Sequence, residues 1–454
     1  MYEVNEIIQA TKGRFIQGSL RDKIIGISTD SRSFEPLEAF LAIRGANFDG
    51  HDFIARAIKL KAKCLIVEKI PPVSIPASVT VIKVKDTTIA LGDIARFQRQ
   101  KINLPVIAVT GSNGKTTTKE MIAWVLASAN TQVLKNEGTK NNQIGLPQTL
   151  IQLTKKDSFA VVEIGTNHFG EVDYLAKIAR PNIGLITNIG HSHLEFLKDL
   201  KGVLKEKTAL LDNLVKPAIT LFNADDKSLK CLTQRSVKGQ RTVSFGINEK
   251  SDFRASGIKL KNQKLEFKVN SKFDFQLSTL GTYNIYNALG AIAIGRILGL
   301  GYPQIRARLA RFKFPQGRLN FVKIKGLRFI DDTYNSNPLS IKAAVEALGA
   351  ANCKGRKILI MADMLELGKQ KELLHRQIAW SITNTCDWLI TVGSLARITA
   401  RAARSNGFKA EHIFCCANAP EARNLLFKKI LPKDDDLILV KGSRSMKMEE
   451  VLGT

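Results

Sequence analysis

Residues 104–117, Leu104-Pro-Val-Ile-Ala-Val-Thr-Gly-Ser-Asn-Gly-Lys-Thr-Thr117, join a short apolar run to a glycine-rich turn. Such a β-branched run is typical of a strand buried in a parallel sheet. A helical pattern follows the turn, so backbone N–H groups at the helix start would point at a bound phosphate. The stretch therefore predicts nucleotide binding, with Lys115 reaching the outer phosphates and Thr116 offering its hydroxyl to Mg²⁺. The longer GxxxxGK[ST] spacing is absent, because Val109 occupies the position of its first glycine.

The segments that follow this loop predict strands and helices in alternation. Strand patterns occur at residues 159–164, 183–187 and 218–222, with helical stretches between them. This alternation favours a doubly wound parallel sheet. Residues 242–280 contain shorter alternating runs, which predict an antiparallel extension of that sheet, and a helix over 285–298 closes the unit.

Two further α/β units flank this central one. Short apolar runs occupy the chain up to about residue 85, and Pro and Gly interrupt regular structure at residues 314–317. Beyond that linker, strand patterns recur at residues 328–330, 357–361, 388–392 and 437–440. We therefore expect an α/β fold of three domains, with boundaries at residues 1–85, 86–313 and 314–454.

Composition limits the class of protein. The 454 residues are 44% hydrophobic, which excludes a disordered chain and fits about three domains. The six cysteines are scattered, without a CxxC pair, which indicates a reducing compartment. The N-terminal residues lack the pattern of a secretory signal, and the most apolar stretch, residues 290–301, is short and interrupted by Arg296. We expect a cytoplasmic protein without membrane insertion.

The charge raises a second class of function. Lys and Arg outnumber Asp and Glu by 68 to 41, giving a net charge of +27, which could mark a nucleic-acid-dependent ATPase. The basic residues are spread over the whole length, without a long basic run or tail. Glu163 is followed by Ile-Gly, whereas such an ATPase should have a strand ending in Asp-Glu. We therefore expect no nucleic-acid partner and attribute the charge to a basic surface around a site for anionic nucleotides.

Several motifs along the chain support a more specific interpretation. They are Thr29-Asp-Ser-Arg32, Asp49-Gly-His-Asp-Phe53, Asn136-Glu-Gly-Thr-Lys-Asn-Asn-Gln-Ile-Gly-Leu-Pro147, Asp331-Asp-Thr-Tyr-Asn-Ser-Asn-Pro338, Met364-Leu-Glu-Leu-Gly368 and Val440-Lys-Gly-Ser-Arg-Ser445. Together with the loop T-G-x-N-G-K-T-T, they resemble the Mur ligases over essentially the whole chain. Three segments depart from the family pattern: Pro36-Leu-Glu-Ala-Phe40, His193-Leu-Glu-Phe-Leu-Lys-Asp199 and Tyr283-Asn-Ile-Tyr-Asn287.

The resemblance implies an ATP-dependent carboxylate-amine ligase of peptidoglycan precursor synthesis. The motifs are most similar to those of the member that joins D-alanyl-D-alanine to UDP-N-acetylmuramoyl-tripeptide through an acyl phosphate. It implies ATP and two Mg²⁺ ions as cofactors, a small N-terminal UDP-binding domain, a central P-loop ATPase-like domain and a C-terminal Rossmann-like domain for the dipeptide. We expect a monomer. Another Mur ligase, a folylpolyglutamate synthetase-like ligase and a non-catalytic nucleotide-binding protein remain as alternatives.

Site residues follow from the same motifs. Glu163 ends an apolar strand, where open α/β sheets bind ligands, and a charge in such a run is costly unless it has a function. The resemblance makes Thr116, Glu163, His193 and Lys207 metal ligands, and Lys115, His193 and Lys207 the catalytic residues. We expect Lys207 to be carbamylated, because an ammonium has no lone pair for Mg²⁺; Lys205 and His191 gain nothing from the motif register. The resemblance also implies ATP contacts from Gly111, Ser112, Asn113, Gly114, Lys115, Thr116, Thr117, Asn284, Asn287, Arg318 and Asp332, UDP-substrate contacts from Asp30, Ser31, Arg32, Asn141 and Asn142, and dipeptide contacts from Tyr334 and Asn335.

Overall fold

The computed structural model describes residues 1–45, 48–70, 72–234 and 237–453. Its regular elements form three successive groups, each built on its own sheet. Short 3₁₀ segments lie at Gly50–Phe53, Lys227–Gln234, Gly368–Gln370, Ala410–His412 and Arg444–Met446, and one π-helical turn lies at Leu426–Ile430. In the described part of the chain, no helix is both long and apolar enough to cross a membrane.

The N-terminal group contains a five-stranded sheet in the order β2-β7-β6-β5-β4 and a two-stranded pair, β1-β3. Its strands are β1 Tyr2–Glu3, β2 Arg14–Gln17, β3 Lys23–Ile24, β4 Ile27–Ser28, β5 Ala39–Leu41, β6 Cys64–Val67 and β7 Thr80–Lys83, and its helices are α1 Val4–Thr11 and α2 Ile54–Lys59. The β6 strand is wholly apolar and buried, as expected for a strand covered on both faces.

The central group is a nine-stranded sheet in the order β16-β15-β14-β13-β12-β11-β8-β10-β9. Its strands are β8 Val106–Thr110, β9 Gln132–Lys135, β10 Asp157–Glu163, β11 Ile183–Ile186, β12 Ala218–Asn223, β13 Gln240–Gly246, β14 Phe253–Lys261, β15 Lys264–Val269 and β16 Phe273–Leu277. Its helices are α3 Thr87–Lys101, α4 Lys115–Leu126, α5 Gly145–Leu150, α6 Glu171–Ala179, α7 Leu194–Leu197, α8 Leu200–Asp212, α9 Asn284–Ile297 and α10 Tyr302–Leu309. Because β8 lies inside the sheet with all five residues buried, the loop after it is held on a rigid base.

The C-terminal group is a six-stranded sheet in the order β17-β18-β22-β19-β20-β21, parallel except for the β17–β18 pair. Its strands are β17 Asn320–Ile324, β18 Leu327–Asp332, β19 Lys357–Ala362, β20 Trp388–Val392, β21 Ile413–Cys416 and β22 Leu437–Lys441. Its helices are α11 Pro338–Ala350, α12 Lys371–Gln377, α13 Ala379–Thr383, α14 Ala396–Ser405, α15 Ala419–Leu425 and α16 Glu449–Leu452. The predicted α/β class is confirmed, whereas the boundaries at residues 85 and 313 stay a prediction.

The prediction of an antiparallel extension over residues 242–280 was wrong in its first part. The β13 strand pairs in parallel with both β12 and β14, and antiparallel pairing begins only between β14 and β15. The carboxylate of Asp225 accepts backbone hydrogen bonds from Ile247, Asn248 and Glu249. These bonds hold the loop between β13 and β14, the two strands that pair in parallel. Alternation along a strand identifies a half-buried face, but it carries no information on strand direction.

Candidate active site

The loop between β8 and α4 requires glycine at two positions. Gly111 and Gly114 have φ angles of 139° and 81°. A Cβ atom at Gly111 would lie 2.0 Å from Thr187 Oγ1, and one at Gly114 would lie 2.4 Å from Asn287 Oδ1. Because α4 begins at Lys115, the first N–H groups of that helix face the loop and have no carbonyl partner within the helix. This is the local structure that binds phosphate.

The segment after β11 holds the loop from the side. The Asn113 N–H donates to Asn188 Oδ1 at 2.9 Å, and Thr187 Oγ1 donates to the Asn113 carbonyl at 2.5 Å. The Ser112 hydroxyl accepts a hydrogen bond from the Gly190 N–H at 2.9 Å. The loop is therefore held in a defined shape by the neighbouring strand.

A cleft of about 970 Å³ opens above this loop, between the central and C-terminal sheets. Predicted site residues that line it are Ser112, Asn113, Gly114, Lys115, Thr116, Thr117, Asn141, Glu163, His193, Asn287, Arg318, Asp332, Tyr334 and Asn335. His191, the competitor of His193, lines it as well. Thus one cavity collects residues from motifs that lie far apart in the sequence.

A half-buried lysine and a buried carboxylate lie in the wall of the cleft. The Lys115 ammonium donates to the carbonyls of Gly111 and Ser112, and burial lowers its pKa, which Glu163 partly opposes. Glu163 is 1% exposed; its Oε1 atom accepts from Asn141 Nδ2 at 2.7 Å, and its Oε2 atom has no hydrogen-bond partner in the described residues. Because an unpaired buried carboxylate oxygen is costly, this atom is suited to bind a cation.

Lys207 lies behind the cleft on α8 and is completely buried. Its Nζ atom has no hydrogen-bond partner in the part of the chain that the structure describes. Burial, reinforced by the charge of Lys115, lowers the pKa of Lys207 well below its ordinary value. The amine of Lys207 is therefore more readily deprotonated than an amine at the surface. Lys205, on the same helix, is exposed. The adjacent Glu206 accepts from the N–H groups of Gly170 and Val172, which fixes the start of α6.

The segment between the two larger sheets contributes a cation. Arg318 donates from Nη2 to Thr116 Oγ1 at 2.9 Å, and its guanidinium lies 4.1 Å from the ring centre of Tyr334. The stacked tyrosine limits the freedom of the arginine, so the positive charge stays beside the phosphate loop. Lys441, at the end of β22, pairs with Asp332 and donates to the Asn335 carbonyl at 2.9 Å.

Two further contacts join the central and C-terminal groups. Asn113 and Asn337 exchange side-chain hydrogen bonds of 3.3 and 2.7 Å. His193 Nδ1 lies 2.6 Å from Glu366 Oε2, and the histidine lowers the pKa of that carboxyl. The C-terminal sheet is thereby joined to both the phosphate loop and the region of the predicted metal site.

Several predicted site residues do not line the cleft. Gly111 and Lys207 are not among the residues that line it. Asn284 is buried, and its Oδ1 atom accepts from Asn287 Nδ2, so it reaches the cleft only through that neighbour. Asn142 accepts from the N–H groups of Ile144 and Gly145, and therefore shapes the turn before α5.

The N-terminal residues predicted to bind the UDP moiety lie in the loop after β4, outside the cleft. Arg32 pairs with Asp30 at 2.7 Å, and both side chains are exposed to solvent. Their loop is joined to the central group, because Gln148 Nε2 donates to Thr29 Oγ1 at 2.6 Å. Ser31 is buried. These residues therefore lie beside α5, which follows the Asn141–Asn142 segment.

Four residues that make contacts at or beside the cleft were not singled out from the sequence. Asn337, Glu366 and Lys441 stood within quoted motifs, and Lys119 follows the phosphate loop. Lys119 is fully buried, and its Nζ atom donates to the carbonyls of Asn136 at 2.5 Å and Gly138 at 3.0 Å. Lys441, like Glu163, is a charged residue at the end of a buried apolar run. Because a buried charge is costly unless it is paired, this pattern could have identified Lys441 from the sequence.

Three segments of the chain match family models of one kind. Residues 23–99 match the model described as "Mur ligase family, catalytic domain", residues 109–295 match "Mur ligase middle domain" and residues 317–444 match "Mur ligase, glutamate ligase domain". The chain belongs to the Mur ligase family.

Full-length relatives and solved structures extend this Mur ligase assignment. UDP-N-acetylmuramoyl-tripeptide--D-alanyl-D-alanine ligase of Bacillus subtilis is 32% identical over 99% of this chain and 97% of its own. A crystal structure of MurF from Acinetobacter baumannii is 31% identical, with a TM-score of 0.89, over 100% of this chain and 98% of its own. MurF ligase from Thermotoga maritima in complex with ADP is 26% identical, with a TM-score of 0.82, over 94% and 96% of the two chains.

Proposed function

We propose that this Mur ligase uses ATP to join D-alanyl-D-alanine to a UDP-N-acetylmuramoyl-tripeptide in peptidoglycan precursor synthesis. The names of its full-length relatives support this activity, and the ADP complex of one of them supports the use of ATP. The observation that carries the proposal is the shared cleft, which collects the phosphate loop, Glu163 and the C-terminal residues Asp332, Tyr334 and Asn335. A ligase needs such a shared site, because nucleotide, carboxylate and amine must meet.

The chemistry requires a carboxylate oxygen to become a leaving group. The tripeptide carboxylate attacks the γ-phosphorus of ATP, the bond to ADP breaks, and an acyl phosphate forms. The dipeptide amine then attacks the acyl carbon, forms the amide, loses a proton and releases phosphate. Lys115 and Arg318 stand where they offset the charge of two anions that approach each other. Asp332 and Asn335 line the same cleft, and the amine would enter beside them.

Mg²⁺ fits the donors in this region. The free Oε2 atom of buried Glu163 and the hydroxyl of Thr116 are oxygen donors of the kind that Mg²⁺ prefers. No group of three or more His, Cys, Asp or Glu side chains in the described ranges could hold a metal by itself. This suits Mg²⁺, which uses one or two carboxylates together with substrate phosphates and water. When bound, Mg²⁺ would neutralise phosphate charge.

We propose two Mg²⁺ ions, held by Thr116, Glu163, His193 and Lys207, the last of them carbamylated. A buried amine with a lowered pKa can lose its proton and attack CO₂: an N–C bond forms as one C=O π bond opens, a second proton leaves the nitrogen, and the resulting carbamate is an anionic oxygen donor. The absence of a hydrogen-bond partner for Lys207 Nζ among the described residues supports this modification.

We also propose a role for each part of the chain. The N-terminal residues 1–85 would hold the UDP moiety through Asp30, Ser31 and Arg32, with Asn141 and Asn142 beside them. Residues 86–313 would bind ATP, with Asn284 and Asn287 near the base. Residues 314–454 would bind the dipeptide through Tyr334 and Asn335. A monomer suffices, since one chain supplies every residue of the cleft, and the use of ATP supports a cytoplasmic site of action.

The test is phosphate release by the purified protein with UDP-N-acetylmuramoyl-tripeptides, with and without D-alanyl-D-alanine. We expect release to depend on both substrates, with formation of the pentapeptide product detected by mass spectrometry. Parallel reactions with tripeptides that end in diaminopimelate or lysine would identify the third residue. Phosphate release at the same rate with and without the dipeptide would contradict the proposed reaction. Replacement of the dipeptide by a single amino acid would distinguish another Mur ligase or a folylpolyglutamate synthetase-like ligase.

A further inference from the structure

His193 and Glu366 form a two-point contact between the central and C-terminal groups. His193 Nδ1 lies 2.6 Å from Glu366 Oε2, and the Glu195 N–H donates to the Glu366 carbonyl at 3.2 Å. Glu366 therefore contacts the start of α7 through both its side chain and its backbone. A Cβ atom at Gly368 would lie 3.2 Å from Glu195 Cα, so the absence of a side chain allows this close approach.

The backbone at this contact is held in a rarely occupied conformation. His193 and Glu366 have φ angles of 54° and 60°. Residues other than glycine seldom adopt such angles, and they persist where the surrounding structure compensates the cost. His193 is the residue that precedes α7, and Glu366 lies in the loop between β19 and α12. Both residues of the contact therefore have a backbone conformation that the surrounding structure must hold in place.

The contact determines which nitrogen of His193 is free. His193 Nδ1 lies 2.6 Å from the Glu366 carboxylate as an ion-pair contact outside hydrogen-bond geometry, and the described residues form no hydrogen bond with Nε2. Histidine ligands of metals usually donate their other ring N–H to a carboxylate or carbonyl, which fixes the tautomer and the ring orientation. His193 also lines the cleft that contains Glu163 and Thr116.

We propose that Glu366 is a positioning residue that orients His193 toward the metal site, so that the C-terminal group completes a site built on the central sheet. This inference rests on the proposed function, which makes His193 a metal ligand. Its consequence is that metal affinity depends on a carboxylate that does not itself touch the metal. Contact between the two groups and metal binding therefore favour each other, as linkage requires.

The test measures Mn²⁺ binding to the full-length protein by electron paramagnetic resonance, with a non-hydrolysable ATP analogue present. We expect Glu366→Ala to weaken Mn²⁺ binding about 10- to 100-fold. Glu366→Gln should fall between Glu366→Ala and the wild type, because its amide oxygen can still accept from Nδ1–H. Glu195→Gln is the matched control: this exposed carboxylate lies two residues after His193, and its side chain forms no hydrogen bond or ion pair with the described residues. It should bind Mn²⁺ like the wild type.

A double substitution separates this inference from the proposed function. In a His193→Ala background, Glu366→Ala should cause no further loss of Mn²⁺ affinity, since Glu366 acts through the histidine. Equal Mn²⁺ binding by the wild type and Glu366→Ala would overturn the positioning role and leave the ligase proposal intact. An additional loss in the His193→Ala background would also overturn it. Failure of the wild type to form the amide product would instead count against the proposed function.

Discussion

Lys207 is fully buried, whereas Lys205, two positions earlier on α8, is exposed. We expect Lys207→Ala to be nearly inactive, because the buried carbamate would be lost, and short-chain carboxylates such as acetate should restore part of the activity. Lys205→Ala is the matched control and should retain near-normal turnover. Ligation rates, together with a ¹³C NMR carbamate signal from ¹³C-labelled bicarbonate, measure both effects. A labelled carbamate that persists in Lys207→Ala would contradict the assignment.

Lys115 provides a second prediction at the same scale. Lys115→Ala should lower ligation by about 10²-fold or more, because the ammonium neutralises phosphate charge in the transition state. The fold should survive, since the hydrogen bonds that the Lys115 ammonium donates within the described chain go to backbone carbonyls of its own loop. Turnover and circular dichroism measure the two outcomes. Near wild-type turnover in a folded variant would remove this lysine from the mechanism.

Among elements, α4 is tied to the neighbouring loop by Lys119. This lysine donates to the Asn136 and Gly138 carbonyls, while the Asn136 side chain bonds both backbone groups of Glu163. Lys119→Met should leave the buried carbonyls unsatisfied at a cost of about 2–4 kcal/mol. It should lower the Tm by roughly 4–16 °C and reduce kcat, because Glu163 loses its support.

Lys119 and Lys135 both pair with the carboxylate of Glu120, and Lys135 serves as the control for that prediction. Lys135 also pairs with Glu120, but from the surface, with a side chain that is 43% exposed. Because exposed ion pairs contribute about 0–1 kcal/mol, Lys135→Met should change the Tm by at most about 2–4 °C. Calorimetry of both variants makes the comparison. Equal decreases in Tm would show that the buried contacts of Lys119 stabilise the fold no more than the surface ion pair of Lys135 does.

For the whole molecule, the net charge of +27 gives a prediction about partners. Added DNA or RNA should not stimulate ATP hydrolysis, because the cleft that holds the phosphate loop is also lined by the C-terminal residues expected to meet the dipeptide. Phosphate release measured against nucleic acid at low and physiological salt tests this. Non-specific attraction should vanish as salt rises, so stimulation that survives physiological salt would favour the nucleic-acid-dependent ATPase.

How far the sequence predicts this molecule depends on whether a feature is local. The strands at 357–361 and 388–392 were predicted almost to the residue, because buried apolar runs carry a strong local signal. The short β17 and β21 strands were missed, since half-exposed edge strands lack it. The motif residues of the cleft were predicted as one site. The contact of Glu366 with His193 was not, because no local pattern reports which distant side chains meet.

The paired amides of Asn113 and Asn337 carry a genetic consequence. The Asn337 side chain also accepts a hydrogen bond from the Ser340 N–H at 2.9 Å as the N-cap of α11. One codon therefore specifies both the helix cap and the contact with Asn113. Serine or aspartate there could preserve the cap while breaking the reciprocal exchange with Asn113. Such alleles would separate folding of the helix from communication with the nucleotide loop. In a suppressor screen, compensating changes should therefore arise at position 113, far away in the gene but adjacent in space.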